Sequence, residues 1–531
     1  MTNPQATLQT ESPVLQREVV IDEQSWFSGG MAIACLPAAA AVLLQIATNG
    51  RYGYFRDELY YIATSDHLAW GYVDFAPLAS LLLRVSRFLF GDSLHAIRFL
   101  PALANGAEIV LTGLITRELG GKRFAVLLAG LSVLMAPVIL GNGTRFSMNP
   151  FESLFWMGSI YFLLRAMNRN QPELLVWCGV LLGLGLENKH STAFFLISLT
   201  AGLLFTPEQR WFRSKWFWIA AVIIVLLSLP NLIWQYQHGF PTWVDLSNVK
   251  RTHKNVELPP LQFLLQQIMM LSPVSVIVWI AGLGSLLFHA QAKRYRVLGV
   301  TYLVFLAIMM VLHGKDYYLA PIYPMLFAAG GVFWETFIAA HTKWRWMKVA
   351  LPALVLVLAV PAVPFVIPVL PPKRVGPYME AFGLKLPKTE THMSGPLPQH
   401  FSDEFGWPEM VAAVAQLYHS LPPEEQAKTG ILAGNYGEAG AIDFFGPKYG
   451  LPKSISAHQN YFYWGPRQYT GESLILLQWD LEDAQDFCRD VQQGPTLDPP
   501  WAMGEEHYTI LLCRGMKKPL PELWPRLKHW N

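Results

Sequence analysis

The chain has 531 residues, of which 52% are hydrophobic and only 15% are charged. Water-soluble domains carry about 25% charged residues, so this composition excludes an ordinary soluble globular protein. It indicates a polytopic α-helical membrane protein. The formal net charge is +2, and the sequence has no basic block and no zinc-type cysteine spacing. Nucleic acid is therefore not predicted as a partner.

Residues 1–28 are polar and contain a single basic residue, Arg17. The first apolar run, 31–47, has no basic segment directly before it and no signal-cleavage pattern after it. These features predict a retained membrane helix preceded by a cytoplasmic N-terminal tail.

A helix that spans a membrane needs about 20 apolar residues. The sequence predicts about eleven spans: 29–48, 95–116, 124–141, 150–167, 172–188, 191–206, 216–236, 261–288, 297–313, 317–338 and 347–370. Residues 77–90 are ambiguous, because Arg84 and Arg87 lie near the middle of a short apolar run. Since an arginine at the bilayer centre is costly, we predict an amphipathic helix along the interface. A crossing at 77–90 would change the number of spans, so a count of twelve or thirteen stays open beside eleven.

The positive-inside rule supports this choice. With a cytoplasmic N-terminus and no crossing at 77–90, every cytoplasmic turn is basic: Arg117, Lys122 and Arg123; Arg165 and Arg169; Arg210, Arg213 and Lys215; Lys293, Arg294 and Arg296; Lys343, Arg345 and Lys348. The same topology places the first loop and the C-terminal tail on the extracytoplasmic side. We therefore divide the chain into 1–28, a membrane domain 29–370 with interfacial helices at about 57–91, and a domain 371–531.

The segment 371–531 follows a proline-rich joint and has a different character. Strand-like runs at 430–433, 473–477 and 508–512 alternate with helix-like segments near 407–420, 437–449 and 480–492. This alternation predicts a small α/β domain. Cys488 and Cys513 both lie in it, and an extracytoplasmic position predicts that they form a disulfide.

Acidic side chains cluster in the first loop. Asp57 and Glu58 follow Arg51 and Arg56 in a stretch with five aromatic residues, and Asp74 comes later in Tyr72-Val-Asp-Phe-Ala-Pro-Leu78. Asp57 could act as a general base, or it could cap a helix that starts at Glu58. Asp74 could equally be a turn residue before Pro77. The local sequence does not decide between these interpretations.

Several basic residues lie on the predicted outer side of the membrane and so oppose the topological charge bias. The candidates for binding a polar substrate or a phosphate are Arg56, Arg145, Lys189, Lys315, Tyr317 and Tyr318. His313-Gly-Lys-Asp-Tyr-Tyr318 is a very short connection between two apolar runs, so a lysine there could meet a lipid phosphate. The alternative to a binding role is that each basic residue is simply a charged residue of a solvated loop.

Three further segments have two interpretations each. The long loop 237–260 is either a lid or a mobile surface loop. Gly434-Asn-Tyr-Gly-Glu-Ala-Gly440 resembles a phosphate-binding turn only weakly, and a tight strand–helix turn is favoured. The aromatic run Tyr461-Phe-Tyr-Trp464 could stack on a sugar, but packing is favoured.

The ordered set of these motifs resembles a known family. The Asp57-Glu58 pair, an acid before a Pro-Leu step, Ala96-Ile-Arg98, and the blocks at 147–151, 187–190, 314–321 and 434–440 look like the polyprenyl-phosphate-sugar-dependent glycosyltransferases of the C-type membrane fold. The bacterial relatives of dolichyl-phosphate-mannose protein mannosyltransferases (glycosyltransferase family 39), which include aminoarabinose and galacturonic acid transferases, are the most similar group. The resemblance extends over most of the chain.

The resemblance implies an inverting transfer of a sugar from a polyprenyl phosphate to a lipid, glycan or protein acceptor, at the outer face of a bacterial inner membrane. It implies that Asp57 is the general base, that Glu58 orients substrate or supports Asp57, and that Asp74 is a third site acid. Phe75-Ala-Pro77 lacks the family's basic residue and one proline, so Arg56, Lys189 or Lys315 would supply the phosphate contact. No cofactor is predicted, and a divalent metal is left open. A transporter of a lipid-linked sugar and a non-catalytic membrane scaffold are the alternative classes.

Overall fold

The computed structural model describes residues 30–383 and 395–530. The predicted cytoplasmic tail 1–28 lies outside these residues. Helices α1 to α17 of the membrane part, and α18 directly after it, are in chain order Met31–Thr48, Arg56–Asp66, Leu78–Phe90, Leu94–Ile97, Phe99–Glu118, Arg123–Leu134, Pro137–Asn142, Asn149–Arg169, Leu175–Asn188, Thr192–Leu204, Lys215–Gln237, Pro241–Arg251, Pro260–Met270, Val276–Phe288, Arg296–Val311, Tyr323–Ala340, Met347–Ala359 and Pro372–Ala381.

Each of the eleven predicted apolar segments contains helix, but several are interrupted. Pro137 separates α6 from α7, and α13 and the helical segment from Pro273 to Phe288 meet at a bend of 99°. Proline lacks an amide hydrogen and clashes with the preceding turn, which accounts for these breaks. In the described chain, five helical stretches are long and apolar enough to cross a membrane, or six if the bent pair counts as one span. The protein is thus a multi-pass membrane protein, and the number eleven stays a prediction.

The predicted interfacial helix is α3. Its outward face is apolar, with Leu81, Val85, Phe88 and Leu89 all exposed. Its inward face buries Ser80 and Ser86, and Arg87 binds Asp66 and Asp92 at 2.9 Å and 2.5 Å. An apolar outer face with a polar inner one fits a helix that lies against lipid along the membrane surface.

The tail contains helices α19 to α25 at Gln399–Ser402, Trp407–Ser420, Pro423–Gln426, Tyr436–Phe445, Tyr461–Trp464, Leu481–Phe487 and Leu520–Leu527. Strands β1 to β4 are Thr429–Leu432, Ser473–Leu476, Cys488–Thr496 and Thr509–Met516. They form one sheet in the order β1-β2-β4-β3, in which only β1 and β2 are parallel.

The predicted helix at 480–492 is wrong in its second half. Helix α24 ends at Phe487, and the chain continues as strand β3, which pairs antiparallel with β4. Val491 is registered with Cys513, and Cys488 forms a disulfide with Cys513 across the same pair of strands. Pairing with β4 is a long-range interaction that outweighs the local helical pattern.

The core of the tail is continuous with the first-loop helices. Leu59 and Tyr61 of α2 belong to the same buried apolar cluster as Val411, Ile431 and Ile442 of the tail. Helix α22 packs closely on α2 at Gly440. A Cβ added at Gly440 would lie only 2.7 Å from the carbonyl oxygen of Leu59. The tail therefore sits directly on the loop that carries the predicted acids.

Candidate active site

Two acids of the first loop are held by two stacked tyrosines, and we call these four residues the acid–tyrosine cluster. The Tyr436 hydroxyl donates to Asp57 Oδ1 at 2.8 Å, and the Tyr60 hydroxyl donates to Asp74 Oδ1 at 3.0 Å. The two rings stack at 4.6 Å with an angle of 25° between their planes. Tyr60 follows Asp57 on α2, whereas Tyr436 opens α22 of the tail. The cluster thus joins the first loop and the tail at one point.

The electrostatics of the cluster keep both tyrosines protonated. Burial is the main cause that holds the pKa of Tyr60 and Tyr436 well above the ordinary value, and the nearby acid adds to it in each case. Burial, with a further contribution from the charge of Asp245, raises the pKa of Asp74 to about 8, although its hydrogen bond from Tyr60 opposes the shift. At neutral pH the cluster therefore contains hydroxyl donors beside an acid that retains its proton.

A third acid reaches the same region from the loop 237–260. Much of this loop is helix α12, whose Asp245 is buried and accepts a hydrogen bond from Gln459 Nε2 at 2.9 Å. The next residue of the tail, Asn460, donates its amide to the Tyr60 hydroxyl at 3.1 Å. The loop is therefore ordered against the tail and carries an acid towards the cluster.

Glu58 has a different environment from Asp57. Its carboxylate is fully buried and forms a bidentate pair with Arg98, at 2.8 Å and 2.7 Å. It also accepts from the amides of Phe55 and Phe146, at 2.9 Å and 2.8 Å. Glu58 therefore orders the start of α2 and the loop that contains Phe146, and its bonding suits a supporting position.

The interpretation of Asp57 as the helix cap is wrong. Helix α2 begins at Arg56, two residues before the expected start, and Phe55 occupies the N-cap position. The Glu58 side chain caps the helix by accepting from the Phe55 amide. Asp57 is consequently the second residue of the helix, where the dipole favours an ionised carboxylate.

Two of the predicted phosphate ligands are engaged by acids of the tail. The Arg56 guanidinium pairs with Asp403 at 3.1 Å, with Glu506 at 3.2 Å, and with Glu505. Arg145 donates to Glu404 at 2.7 Å. Because these pairs are largely buried, a phosphate would have to replace carboxylates around each arginine. In this structure both arginines link the loops to the tail, and their phosphate role stays a prediction.

Three of the other predicted ligands, Lys189, Tyr317 and Tyr318, come together in what we call the lysine–tyrosine cluster. The Lys189 ammonium lies over the rings of Tyr318 and Tyr317, at 4.7 Å and 5.7 Å from their centroids. It also pairs with Glu152 at 2.8 Å and donates to Asn149 at 2.9 Å. This cluster therefore has one cation set among two phenol rings and a carboxylate.

The two clusters are neighbours. Both are connected to Met148. Asn188, beside Lys189, donates to the Met148 carbonyl at 2.8 Å, and the Tyr61 hydroxyl is hydrogen-bonded to the Met148 backbone. After burial, Asp57 and Asp74 both contribute to raising the pKa of Tyr61. Lys315 lies near Asp245, since its charge lowers the pKa of that acid against the larger effect of burial.

The two tail motifs act structurally. In Gly434–Gly440, Asn435 Oδ1 accepts the amides of Gly437 and Glu438, while Glu438 accepts those of Gly434 and Asn435. This reciprocal capping box fills the helix terminus that a phosphate would need, so the turn interpretation is confirmed. The run Tyr461–Trp464 packs, with Trp464 stacked on His67 at 4.2 Å.

Sequence reasoning missed several residues of the region, notably Tyr60, Tyr436, Arg98, Glu404 and Asp245. The motifs containing Tyr436 and Arg98 were noticed, but their partners are 379 and 40 residues away in the chain. No local pattern reports such a contact. Within residues 30–383 and 395–530, no group of three or more His, Cys, Asp or Glu side chains is arranged to hold a metal ion.

Known proteins match both the sequence and the fold. Residues 74–234 match the family described as dolichyl-phosphate-mannose-protein mannosyltransferase. The fold is similar to that of ArnT from Cupriavidus metallidurans bound to undecaprenyl phosphate, with a TM-score of 0.59 and 14% identity over 92% of this chain and 98% of that one. The chain thus has the fold of this membrane glycosyltransferase, and about a third of its sequence matches the mannosyltransferase family.

The curated relatives match only a part of the chain. An undecaprenyl phosphate-alpha-4-amino-4-deoxy-L-arabinose arabinosyl transferase 2 of Pseudomonas fluorescens is 26% identical over 175 residues, or 32% of this chain and 30% of the relative. The corresponding Yersinia pestis enzyme is 31% identical over 152 residues, or 28% and 27% of the two chains. The matches therefore span less than a third of these relatives. The family match starts at Asp74 and does not include Asp57.

Proposed function

We propose that this protein is an inverting glycosyltransferase that moves a sugar from a polyprenyl-phosphate donor to an acceptor at the extracytoplasmic face of a bacterial inner membrane. The observation that carries the proposal is the acid–tyrosine cluster, in which two stacked tyrosines hold Asp57 and Asp74 where the first loop meets the tail. The names of the relatives support a polyprenyl-phosphate donor. The acceptor would be a lipid, a glycan or a protein.

In the proposed reaction, Asp57 is the general base. An acceptor hydroxyl attacks the anomeric carbon on the face opposite the phosphate, and its proton passes to the Asp57 carboxylate. The bond between the anomeric carbon and the phosphate oxygen breaks, and the electron pair leaves with polyprenyl phosphate. Since phosphate leaves readily as an anion, cationic groups are needed more than a strong acid.

The charge on the departing phosphate would be met by Lys189 and Lys315, with Tyr317 and Tyr318 as hydroxyl donors. Arg56 and Arg145 are left out of this role because carboxylates of the tail hold them. Asp74 retains its proton at neutral pH, so it would act as a hydrogen-bond donor to the substrate and not as a second base. The different environments of the two acids thus support different roles.

The decisive experiment uses purified protein in detergent with labelled polyprenyl-phosphate sugars and candidate acceptors. We expect the wild type to release polyprenyl phosphate, and the Asp57→Asn variant to lose about 10²–10⁴-fold in rate, the usual contribution of a positioned base. Asp498→Asn is the control, because this tail acid is 89% exposed. Near-normal turnover by Asp57→Asn would contradict the assignment.

The same assay in sealed vesicles separates the alternative classes. An enzyme releases polyprenyl phosphate, a transporter moves the donor intact across the bilayer, and a scaffold does neither. Using several donors that differ in the sugar would also define which hexosyl or pentosyl group is transferred.

A further inference from the structure

We infer that Tyr436, a residue of the C-terminal domain, is a positioning residue for Asp57. This inference rests on the proposed function, in which Asp57 is the base. It makes the C-terminal domain a part of the reaction site and gives its packing on the first loop a role in the reaction.

Tyr436 is fixed on several sides before it reaches Asp57. Its ring is stacked on Tyr60 at 4.6 Å and on His458 at 4.9 Å, with angles of 25° and 23° between the planes. Its amide donates to His458 Nδ1 at 3.3 Å. The capping box of Asn435 and Glu438 sets the direction of helix α22 at the same point. The phenol therefore has little freedom when it donates to Asp57.

The position of α22 is itself determined by close packing. Gly440 lies against the backbone of Leu59, and Gly437 lies against the side chain of Arg56. Arg56 and Leu59 flank Asp57 on α2, so the two helices meet on both sides of the acid. The relative position of the Tyr436 hydroxyl and the Asp57 carboxylate is thereby fixed by the interface between the domains.

A neutral phenol that donates to a carboxylate has two effects. It favours the ionised acid, which is the form that accepts a proton, and it orients the carboxylate plane. Burial and the charge of Asp57 hold the pKa of Tyr436 well above its ordinary value, so the donor keeps its proton through the working range. Tyr60 donates its hydroxyl to Asp74 in the same way.

The test compares Tyr436→Phe with the wild type in the transfer assay, from pH 5 to pH 9. The ring and its stacking are kept, and only the hydroxyl is removed. We expect kcat to fall about 10-fold or more, because hydrogen bonds to charged groups are worth more than neutral ones. We also expect the acidic limb of the kcat profile to move up by about one pH unit, since ionised Asp57 loses a donor. KM for the donor should change little.

Tyr463→Phe is the matched control, because this tail hydroxyl faces the backbone carbonyl of His238 at 3.4 Å and no acid. We expect it to behave as the wild type. A Tyr436→Phe profile with an unshifted acidic limb would overturn the inference, even if the amount of active enzyme fell. A wrong functional proposal would give a different result. In that case the wild type itself would not release polyprenyl phosphate, or Asp57→Asn would keep its rate.

Discussion

At the scale of single residues, neighbouring acids have separate tasks because their hydrogen-bond partners differ. Glu58 is saturated by Arg98 and by two backbone amides, whereas Asp57 accepts from a phenol of the tail. Arg98 also pairs with Glu404 at 3.3 Å, so one buried cation holds two carboxylates. A buried network of this kind stays favourable only while every member has its partner.

Asp74 gives a prediction on pH. Its folded-state pKa is about 8, against about 3.9 in an unfolded chain. Between these values the folded protein keeps a proton that the unfolded chain has lost. Its stability should therefore fall as pH rises from about 4 to 8, by at most ~1.4 kcal/mol per pH unit, and level off above 8. Partial solvent exposure of Asp74 reduces the effect.

The Asp74→Asn variant should lack this contribution, because the amide oxygen still accepts from Tyr60 and cannot ionise. Thermal unfolding in detergent at pH 5, 6, 7 and 8 measures the difference, with Asp486→Asn, at an exposed position of the tail, as the control. We expect the stability of Asp74→Asn relative to the wild type to increase with pH. Parallel pH dependences for the two proteins would contradict the assigned pKa.

At the scale of elements, the contact between α2 and α22 is the feature on which the site depends. It brings together residues whose numbers differ by almost 380, and its closest approach is at Gly440. The short helix α3 supports α2 from the other side, through the bonds of Arg87 to Asp66 and to the backbone of Ile62. The first loop is thus held between an interfacial helix and the tail.

Gly440→Ala should weaken this contact. The new Cβ would lie 2.7 Å from the Leu59 carbonyl oxygen, so one helix must shift, at a cost of about 1–3 kcal/mol. We expect a lower thermal midpoint, faster proteolysis of the tail and reduced transfer. Gly376→Ala is the control, because no atom lies within 4 Å of its added Cβ. Equal midpoints for the two variants would show that the interface tolerates the methyl group.

At the scale of the whole molecule, the sidedness of the tail determines where the chemistry takes place. The basic turns predict that the tail is extracytoplasmic, and the Cys488–Cys513 disulfide is consistent with an oxidising compartment. Cys35 and Cys178 are the other two cysteines and are free in the structure.

Thiol labelling tests the sidedness. Protein extracted from membranes without reductant and then denatured should show two reactive thiols before reduction, Cys35 and Cys178, and four after it. A Cys488→Ser and Cys513→Ser double variant should show two under both conditions. Four thiols without reductant in the wild type would contradict the disulfide and weaken the extracytoplasmic placement of the tail.

The sequence by itself determined that this is a multi-pass membrane protein, and it determined the apolar segments, the helix at 77–90 and the acids of the first loop. These features are local, because apolar runs and helical periodicity are written in consecutive residues. The sequence of strand β3 has a local helical pattern, and only its non-local pairing with β4 makes it a strand. Only the tertiary structure decided that Tyr436 donates to Asp57, that Glu58 is buried by Arg98, and that tail acids engage Arg56 and Arg145. Each of these contacts depends on how distant segments pack, which no local pattern encodes.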